Sequence, residues 1–331
     1  MILVGDIGGT KTRLAIFSSG EGLLKEPRLQ AVYPSAKYDS LESMVREFMS
    51  GTVQALKGAV FGVAGPVIGG KAILTNLPWV LEVEHLREGL GLPSVMLVND
   101  VLAMAAAIHH LGKESILTLQ AGQTAPHGNV AVIAPGTGLG EAFLTHTGTP
   151  WQAHATEGGH TDFAPRNEEE FALWKHLLAG KKRVSCERVC SGPGIEWIYQ
   201  YLREVGQGEI VPKDLTSPDG TVDFVPRIVE AAMNQVDPCP LCVKTLRLYA
   251  SILGAEAGNL ALKVMATGGV YLGGGIPPRI VPFLQEGGFL QSFNEKGRMS
   301  KLMACIPVHV ILDPRAPLLG AACLYWEREG T

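Results

Sequence analysis

The sequence predicts an α/β protein of two lobes around a cleft, and three observations carry that prediction. A strand, glycine turn, strand pattern opens the chain over residues 2–17, with its turn at Gly8-Gly9-Thr10. The pattern returns over residues 130–144, where the turn reads Pro135-Gly136-Thr137-Gly138-Leu139-Gly140. Helical stretches and a βα unit accompany the two modules, so each can cover a sheet. Laid on one another, Gly9-Thr10 aligns with Gly136-Thr137 and Ala15 with Ala142, which hints at an internal duplication.

Taken in order, residues 2–5 form an apolar run ending at Asp6, and residues 13–17 resume it beyond the turn, which reads as a β-hairpin. Leu41–Met49 has helical periodicity, and Ala59–Val63 is a buried-strand pattern closed by Ala64-Gly65-Pro66. Residues 95–98 form another strand, which runs into Asn99-Asp100 and then an Ala- and Leu-rich helix over residues 101–111. Ligands gather at the carboxyl ends of strands in such βα units. Past the second module come helical stretches at Glu168–Leu178, 194–205 and 245–264, then a strand at 268–272 entering Gly273-Gly274-Gly275. Segments 121–128 and 216–220 read as surface loops.

Composition narrows the function classes. With 331 residues and 46% hydrophobic content, the chain can bury two cores of ordinary size. A net charge of -4 without a long basic run offers no nucleic-acid footprint. The opening MILVGDIGGT has no basic region before its apolar residues, and apolar stretches break before membrane-spanning length. A soluble cytoplasmic protein is expected, without nucleic-acid or membrane partners. The six cysteines are Cys186, Cys190, Cys239, Cys242, Cys305 and Cys323. A disulfide framework is not expected in so large a cytoplasmic chain. Cys239-Pro240-Leu241-Cys242 has the spacing of half a zinc site or a redox pair, which Cys186 and Cys190 could complete; plain thiols are the other reading.

Gly5-Asp6-Ile7-Gly8-Gly9-Thr10-Lys11-Thr12 approaches GxxxxGK[ST], but Thr10 stands where the last glycine is required, and a strand-like run follows instead of a helix. The segment is either an ordinary hairpin turn or one whose backbone N–H groups face a phosphate. In the second case Asp6, at the strand end, can hold Mg²⁺ through water. The second turn favours that case, since two turns, one per lobe, can grip one polyphosphate. Residues 136–140 do not match GxGxxG, which argues against a dinucleotide fold. Asp100 is either the carboxylate that orients a hydroxyl and takes its proton in phosphoryl transfer, or a helix N-cap. Glu157-Gly158-Gly159-His160 places a carboxylate and an imidazole on a glycine loop, suited to sugar hydroxyls, though a plain surface turn would look the same. Glu187, among apolar neighbours, is either buried with a partner or, with Arg188, part of a solvated face.

At this point the chain resembles bacterial-type glucokinases of the hexokinase fold, in the actin-like ATPase superfamily (ribonuclease H-like). The resemblance runs in order over nearly the whole length. Residues 5–15 (GDIGGTKTRLA) are similar to the family's first phosphate motif, and 61–66 (FGVAGP) and 75–79 (TNLPW) to its next signatures. Residues 98–103 (VNDVLA) resemble the catalytic Asn-Asp segment, and 134–141 (APGTGLGE) the second phosphate motif. Residues 157–160 (EGGH) and 187–192 (ERVCSG) resemble the sugar-binding segments, and 268–275 (GGVYLGGG) the adenosine motif. The resemblance implies ATP and Mg²⁺ as cofactors and glucose as substrate. Asp100 would be the base on the 6-hydroxyl, and Asn99, Glu157, His160 and Glu187 would hold the other hydroxyls. Gly5, Asp6, Ile7, Gly8, Gly9, Thr10, Thr137 and Gly138 would surround the phosphates, and Gly274 and Gly275 would approach the adenosine. It also implies a small domain of residues 1–107 plus 314–331 and a large one of 108–313.

There are departures. DIGGTKT is closer to the repressor/open-reading-frame/kinase sugar kinases, which commonly carry a Cys-rich zinc loop after the EGGH-like segment. Here Thr161-Asp162-Phe163 follows His160, and no such loop appears, so zinc is not carried over. The kinase motif starts almost at the first residue, so no helix-turn-helix extension is expected. Other readings are a kinase for another hexose or amino sugar, and a non-catalytic sugar sensor or structural ATPase. Asp100 disfavours the sensor, and the sugar-type residues disfavour the structural ATPase. A homodimer is the expected assembly.

Overall fold

The structure is a computed structural model that describes residues 1–18, 26–51, 55–74, 77–146, 148, 151–206 and 224–329. The expected loop at 216–220, and Thr75 and Asn76 of the third signature, lie outside the described residues. In chain order the elements are β1 (Ile2–Ile7), β2 (Lys11–Phe17), β3 (Leu29–Pro34), α1 (Leu41–Met49), β4 (Ala59–Val63), β5 (Lys71–Ile73), β6 (Val80–Glu82), α2 (Val83–Leu90), β7 (Val95–Asn99) and α3 (Asp100–Ala107). There follow β8 (Ile116–Gln120), β9 (Val130–Pro135), β10 (Leu139–Thr145), β11 (Gln152–Thr156), α4 (Glu168–Leu178), α5 (Gly192–Val205), α6 (Phe224–Ala232) and α7 (Pro240–Val264). The chain closes with β12 (Gly269–Leu272), α8 (Val281–Gln285), α9 (Gly288–Asn294), α10 (Ser300–Cys305), β13 (Val308–Ile311) and α11 (Ala316–Glu329). It packs as two units: Met1–Ser115 with Ala142–Ala155 and Asp313–Thr331, and Ile116–Glu141 with Thr156–Leu312.

The first unit is built on a five-stranded sheet of order β3-β2-β1-β4-β7. The hairpin β1–β2 and the pair β2–β3 are antiparallel; β1–β4 and β4–β7 are parallel. β4 is buried at every position, as a parallel strand covered on both faces must be, and its sequence AVFGV is a continuous apolar run. Leu41, Met44, Val45, Phe48 and Leu86, from α1 and α2, join one core with this sheet, and α11 packs on β1 and β4. α11 also lies along α3, and the approach is close: a Cβ on Gly320 would overlap the Ala103 carbonyl. Gly320→Ala is therefore expected to force the two helices apart and to cost about 1–3 kcal/mol, read as a lower urea midpoint at unchanged slope.

The second unit carries most of a six-stranded sheet of order β11-β10-β9-β12-β13-β8. β9–β12 and β12–β13 are parallel, and β8 pairs antiparallel on the edge of β13. With the edge strand β8 set aside, its other five strands, counted in chain order from β9, repeat the order of the first sheet, third-second-first-fourth-fifth. The duplication hinted at by two glycine turns is thus a duplication of topology. Its core gathers α5, α6, α7 and α9, with Tyr249, Phe289 and Phe293 fully buried.

Several boundaries differ from the sequence reading, two of them for a capping reason. The helix expected over 101–111 is α3 followed by a 3₁₀ turn, Ile108–His110. The helix expected from 194 starts at Gly192: Ser191 caps α5 by accepting from Gly194 N, and proline is tolerated in the first turn. α7 starts at Pro240 and not near 245, with Cys239 as its cap. Cys186, Cys190, Cys239 and Cys242 are all buried. Among the described residues no group of three or more His, Cys, Asp or Glu is arranged to hold a metal ion, and no helix is long and apolar enough to cross a membrane.

Candidate active site

In the first unit the parallel register aligns three strand ends. Ile7 pairs with Val63, and Val63 with Asn99, so the turn after β1 and the Asn99-Asp100 step lie at the same carboxyl edge. This is where open α/β sheets place ligands. The turn is tight: Gly8 N donates to Lys11 O (3.1 Å). Ser35 braces it from outside, donating its Oγ to Gly8 O (2.7 Å) and its N–H to Thr10 O (3.1 Å), with Thr12 Oγ1 3.0 Å from its Oγ. Gly5 is needed within β1, because a Cβ there would sit 2.7 Å from the Phe61 ring.

Asp6 closes the strand with one partner, Arg13, whose Nη1 stands 3.0 Å from Oδ2. Burial pushes the Asp6 carboxyl up, and the Arg13 charge and hydrogen bond oppose it. Asn99 is the N-cap of α3: Oδ1 accepts from Val101 N and Leu102 N (both 3.0 Å), and Nδ2 donates to Gly65 O (3.2 Å). The cap role open to Asp100 in the sequence therefore falls to its neighbour. Asp100 is the first helical residue, and its Oδ1 accepts from Val101 N (2.9 Å).

The second unit brings Thr137, Gly138, Glu157, His160 and Glu187 together. Gly136 N donates to Gly138 O, and Gly192 N, at the head of α5, donates to Gly136 O (both 2.8 Å), so the turn between β9 and β10 is clamped. Thr137 is exposed at its tip. Glu187 reaches the end of this turn, where its Oε2 accepts from Leu139 N (3.0 Å). A Cβ on Gly138 would stand 2.6 Å from the same oxygen. The other oxygen lies 3.9 Å from His160 Nδ1, and His160 Nε2 lies 3.8 Å from Glu157 Oε2. These last two spacings exceed a hydrogen bond and leave the three polar heads accessible. Arg188 turns the other way and stacks on Trp197, 4.5 Å from the ring centre.

Both glycines of the EGGH segment are closely covered, Gly159 by backbone and Gly158 by side chains. A Cβ on Gly159 would overlap the Leu139 carbonyl, and one on Gly158 would overlap Glu141 Oε2. Arg183 ties down the far end, donating to His160 O (2.6 Å) and Asp162 Oδ1 (3.0 Å). Gly274 follows β12 with φ +79°, and any Cβ would overlap Pro135 O; Gly275 faces open space. Ser35 and Arg183 are absent from the sequence reading, and Glu141 appears there only as the last residue of the second phosphate motif. Their partners lie 15 to 27 positions away, at no spacing a sequence pattern marks.

One sheet order used twice, with a glycine turn after each first strand, defines a two-domain protein of the actin-like ATPase fold. The chain belongs to the glucokinase family, whose model, described as Glucokinase, matches residues 3–328. It is 41% identical over 336 residues to a glucokinase of Nostoc sp., covering 97% of this chain and 98% of that one. A solved glucokinase from an Antarctic psychrotroph is 33% identical, with a TM-score of 0.81 and 98% of both chains covered. A ROK family glucokinase from Streptomyces griseus, in complex with glucose and AMPPNP, shares the fold at 22% identity, with a TM-score of 0.67 and 98% of each chain covered.

Proposed function

We propose that this protein transfers the γ-phosphoryl group of ATP to the 6-hydroxyl of D-glucose, releasing glucose 6-phosphate, ADP and a proton. The observation that carries the reading is the Glu187 carboxylate, which accepts from Leu139 N at the end of the Gly136–Gly138 turn and faces His160, with Glu157 on the far side of that imidazole. Three convergent polar groups suit a polyol, because a site built to hydrogen-bond hydroxyls rejects compounds that lack them.

In this reading Asp100 accepts the proton from the 6-hydroxyl as that oxygen attacks phosphorus. Glu157, His160 and Glu187 hold the remaining hydroxyls. Asn99 contributes one donor, since its Oδ1 and one amide hydrogen are already committed to the cap and to Gly65 O. Gly8, Gly9, Thr10, Thr137 and Gly138 offer backbone and hydroxyl donors to the phosphates, with Gly5 and Ile7 shaping the strand beneath, and Gly274 and Gly275 leave room for adenosine. Asp6 fits a Mg²⁺ role: one carboxylate oxygen is bound to Arg13 and the other has no side-chain partner among the described residues, and Mg²⁺ characteristically takes few carboxylates and keeps its waters. When bound, the ion would neutralise charge on the transferring phosphate. We further propose a cytoplasmic homodimer, which light scattering would check.

The test is ADP release from Mg-ATP with glucose, mannose, fructose, galactose, glucosamine and N-acetylmannosamine in turn. Turnover on glucose well above the others is the expected result. Turnover on another sugar would move the specificity, and none on any would sink the kinase reading.

A further inference from the structure

Beneath the sugar-type segment lies a second pair of carboxylates to which the roles above give no work. Glu141 stands two residues past Leu139 on β10 and turns inward. It is 2% exposed, and its Oε1 has no hydrogen-bond partner among the described residues. Its Oε2 presses on Gly158, where a Cβ would overlap it. Its carbonyl accepts from Thr156 Oγ1 (3.2 Å), which in turn accepts from Gly158 N (3.1 Å).

The acidic charge that acts on it comes from Glu256, 5% exposed on α7. Glu256 Oε2 accepts from Cys186 Sγ (3.3 Å) and Asn259 Nδ2 (2.9 Å), and its Oε1 lies 3.6 Å from Lys263 Nζ. Cys186 directly precedes Glu187. The buried pair thus touches both arms of the Glu157, His160 and Glu187 group, Glu141 at Gly158 and Glu256 at Cys186.

Two carboxylates in one dry site do not ionise together, because desolvation and mutual repulsion both penalise the second charge. Burial, and then Glu256, push the Glu141 carboxyl up to about 7, against the Lys263 charge. Burial and Glu256 also push the Cys186 thiol up to about 12, and burial pushes Cys190 up, so both stay neutral. Lys296 is spoken for by Ala255 O (2.8 Å) and Asn259 Oδ1 (2.6 Å).

We propose that Glu141 is a positioning residue for sugar binding: as the neutral member of the pair it seats the Gly158 turn, and loss of its proton unseats Glu157 and His160. This rests on reading those residues as sugar-binding groups. The sign follows: affinity is full while Glu141 is protonated and falls as pH rises through its titration. If only the protonated form binds, glucose affinity weakens by up to roughly thirtyfold between about pH 6 and about pH 8.5 for a midpoint near 7.

Glucose binding is measured by calorimetry over that range on the wild-type protein, Glu141→Gln and Glu256→Gln. The wild type is expected to weaken several-fold with rising pH. Glu141→Gln, permanently neutral and nearly isosteric, should match the wild type at low pH and stay flat. Burial, the larger cause, stays in Glu256→Gln, and the variant removes the Glu256 charge that adds to it, so its midpoint should move to lower pH. A flat wild type, or a Glu141→Gln profile that follows the wild type, overturns the proposal. Should Glu141→Gln fail to fold, an unmoved midpoint in Glu256→Gln overturns it. Wild-type turnover on glucose at neutral pH tests the underlying reading separately.

Discussion

Replacing Asp100 by asparagine is expected to lower kcat on glucose by about 10²- to 10⁴-fold, with fold and glucose affinity close to wild type. The local structure explains why the fold should survive. Asn99 carries the cap of α3 through two N–H groups, so the helix start does not depend on Asp100. The bond that the Asp100 carboxylate accepts from Val101 N can be accepted equally by an asparagine oxygen. What asparagine cannot do is take a proton. The loss should therefore fall on kcat and not on binding, which separates it from a positioning defect. Loss of a first-turn charge costs only about 0.3–1 kcal/mol of helix stability. Coupled ADP release and calorimetric glucose binding check the two halves. A variant within tenfold of wild-type kcat would place the base elsewhere.

Glu187→Gln should lower kcat/KM for glucose by about 10- to 100-fold, the span expected for one hydrogen bond to a charged group. Glu187 serves two sides: Oε2 accepts from Leu139 N at the end of the phosphate-type turn, and Oε1 looks toward His160. Glutamine keeps the first bond through its oxygen, so the turn should hold. It presents N–H donors where the carboxylate offered an acceptor, and a sugar hydroxyl that donates there loses its partner. Glu187→Ala should do more damage, because Leu139 N also loses its acceptor. Unchanged kcat/KM in Glu187→Gln would remove this residue from the sugar site.

Local patterns made much of this legible. Leu41–Met49, Ala59–Val63 and Glu168–Leu178 stand where periodicity put them, because each is a single amphipathic or fully apolar run. The hairpin at the start of the chain was readable from a glycine turn between two apolar runs. Helix starts were less so: Ser191 and Cys239 cap α5 and α7 earlier than expected, with proline inside the first turn, where its missing N–H costs nothing. The choice for Asp100 between cap and proton-accepting carboxylate could not be made from adjacency, since Asn99 and Asp100 are equally good caps by residue type.

The sequence by itself determined the two glycine-turn modules, the element types and the residues whose chemistry suits phosphate and sugar. These follow from neighbours along the chain, where hydrophobic period and turn chemistry act locally. Only the tertiary structure decided that the second sheet repeats the strand order of the first, that Glu187 turns to Leu139 while Arg188 turns to Trp197, and that Ser35 and Arg183 brace the turns. It alone decided that Glu141, apparently one more polar residue on a strand, lies buried against Gly158 in the field of Glu256. The physical reason is common to all of these. A charged side chain's partner, burial and protonation depend on which distant segment the fold lays against it, and no spacing along the chain encodes that distance.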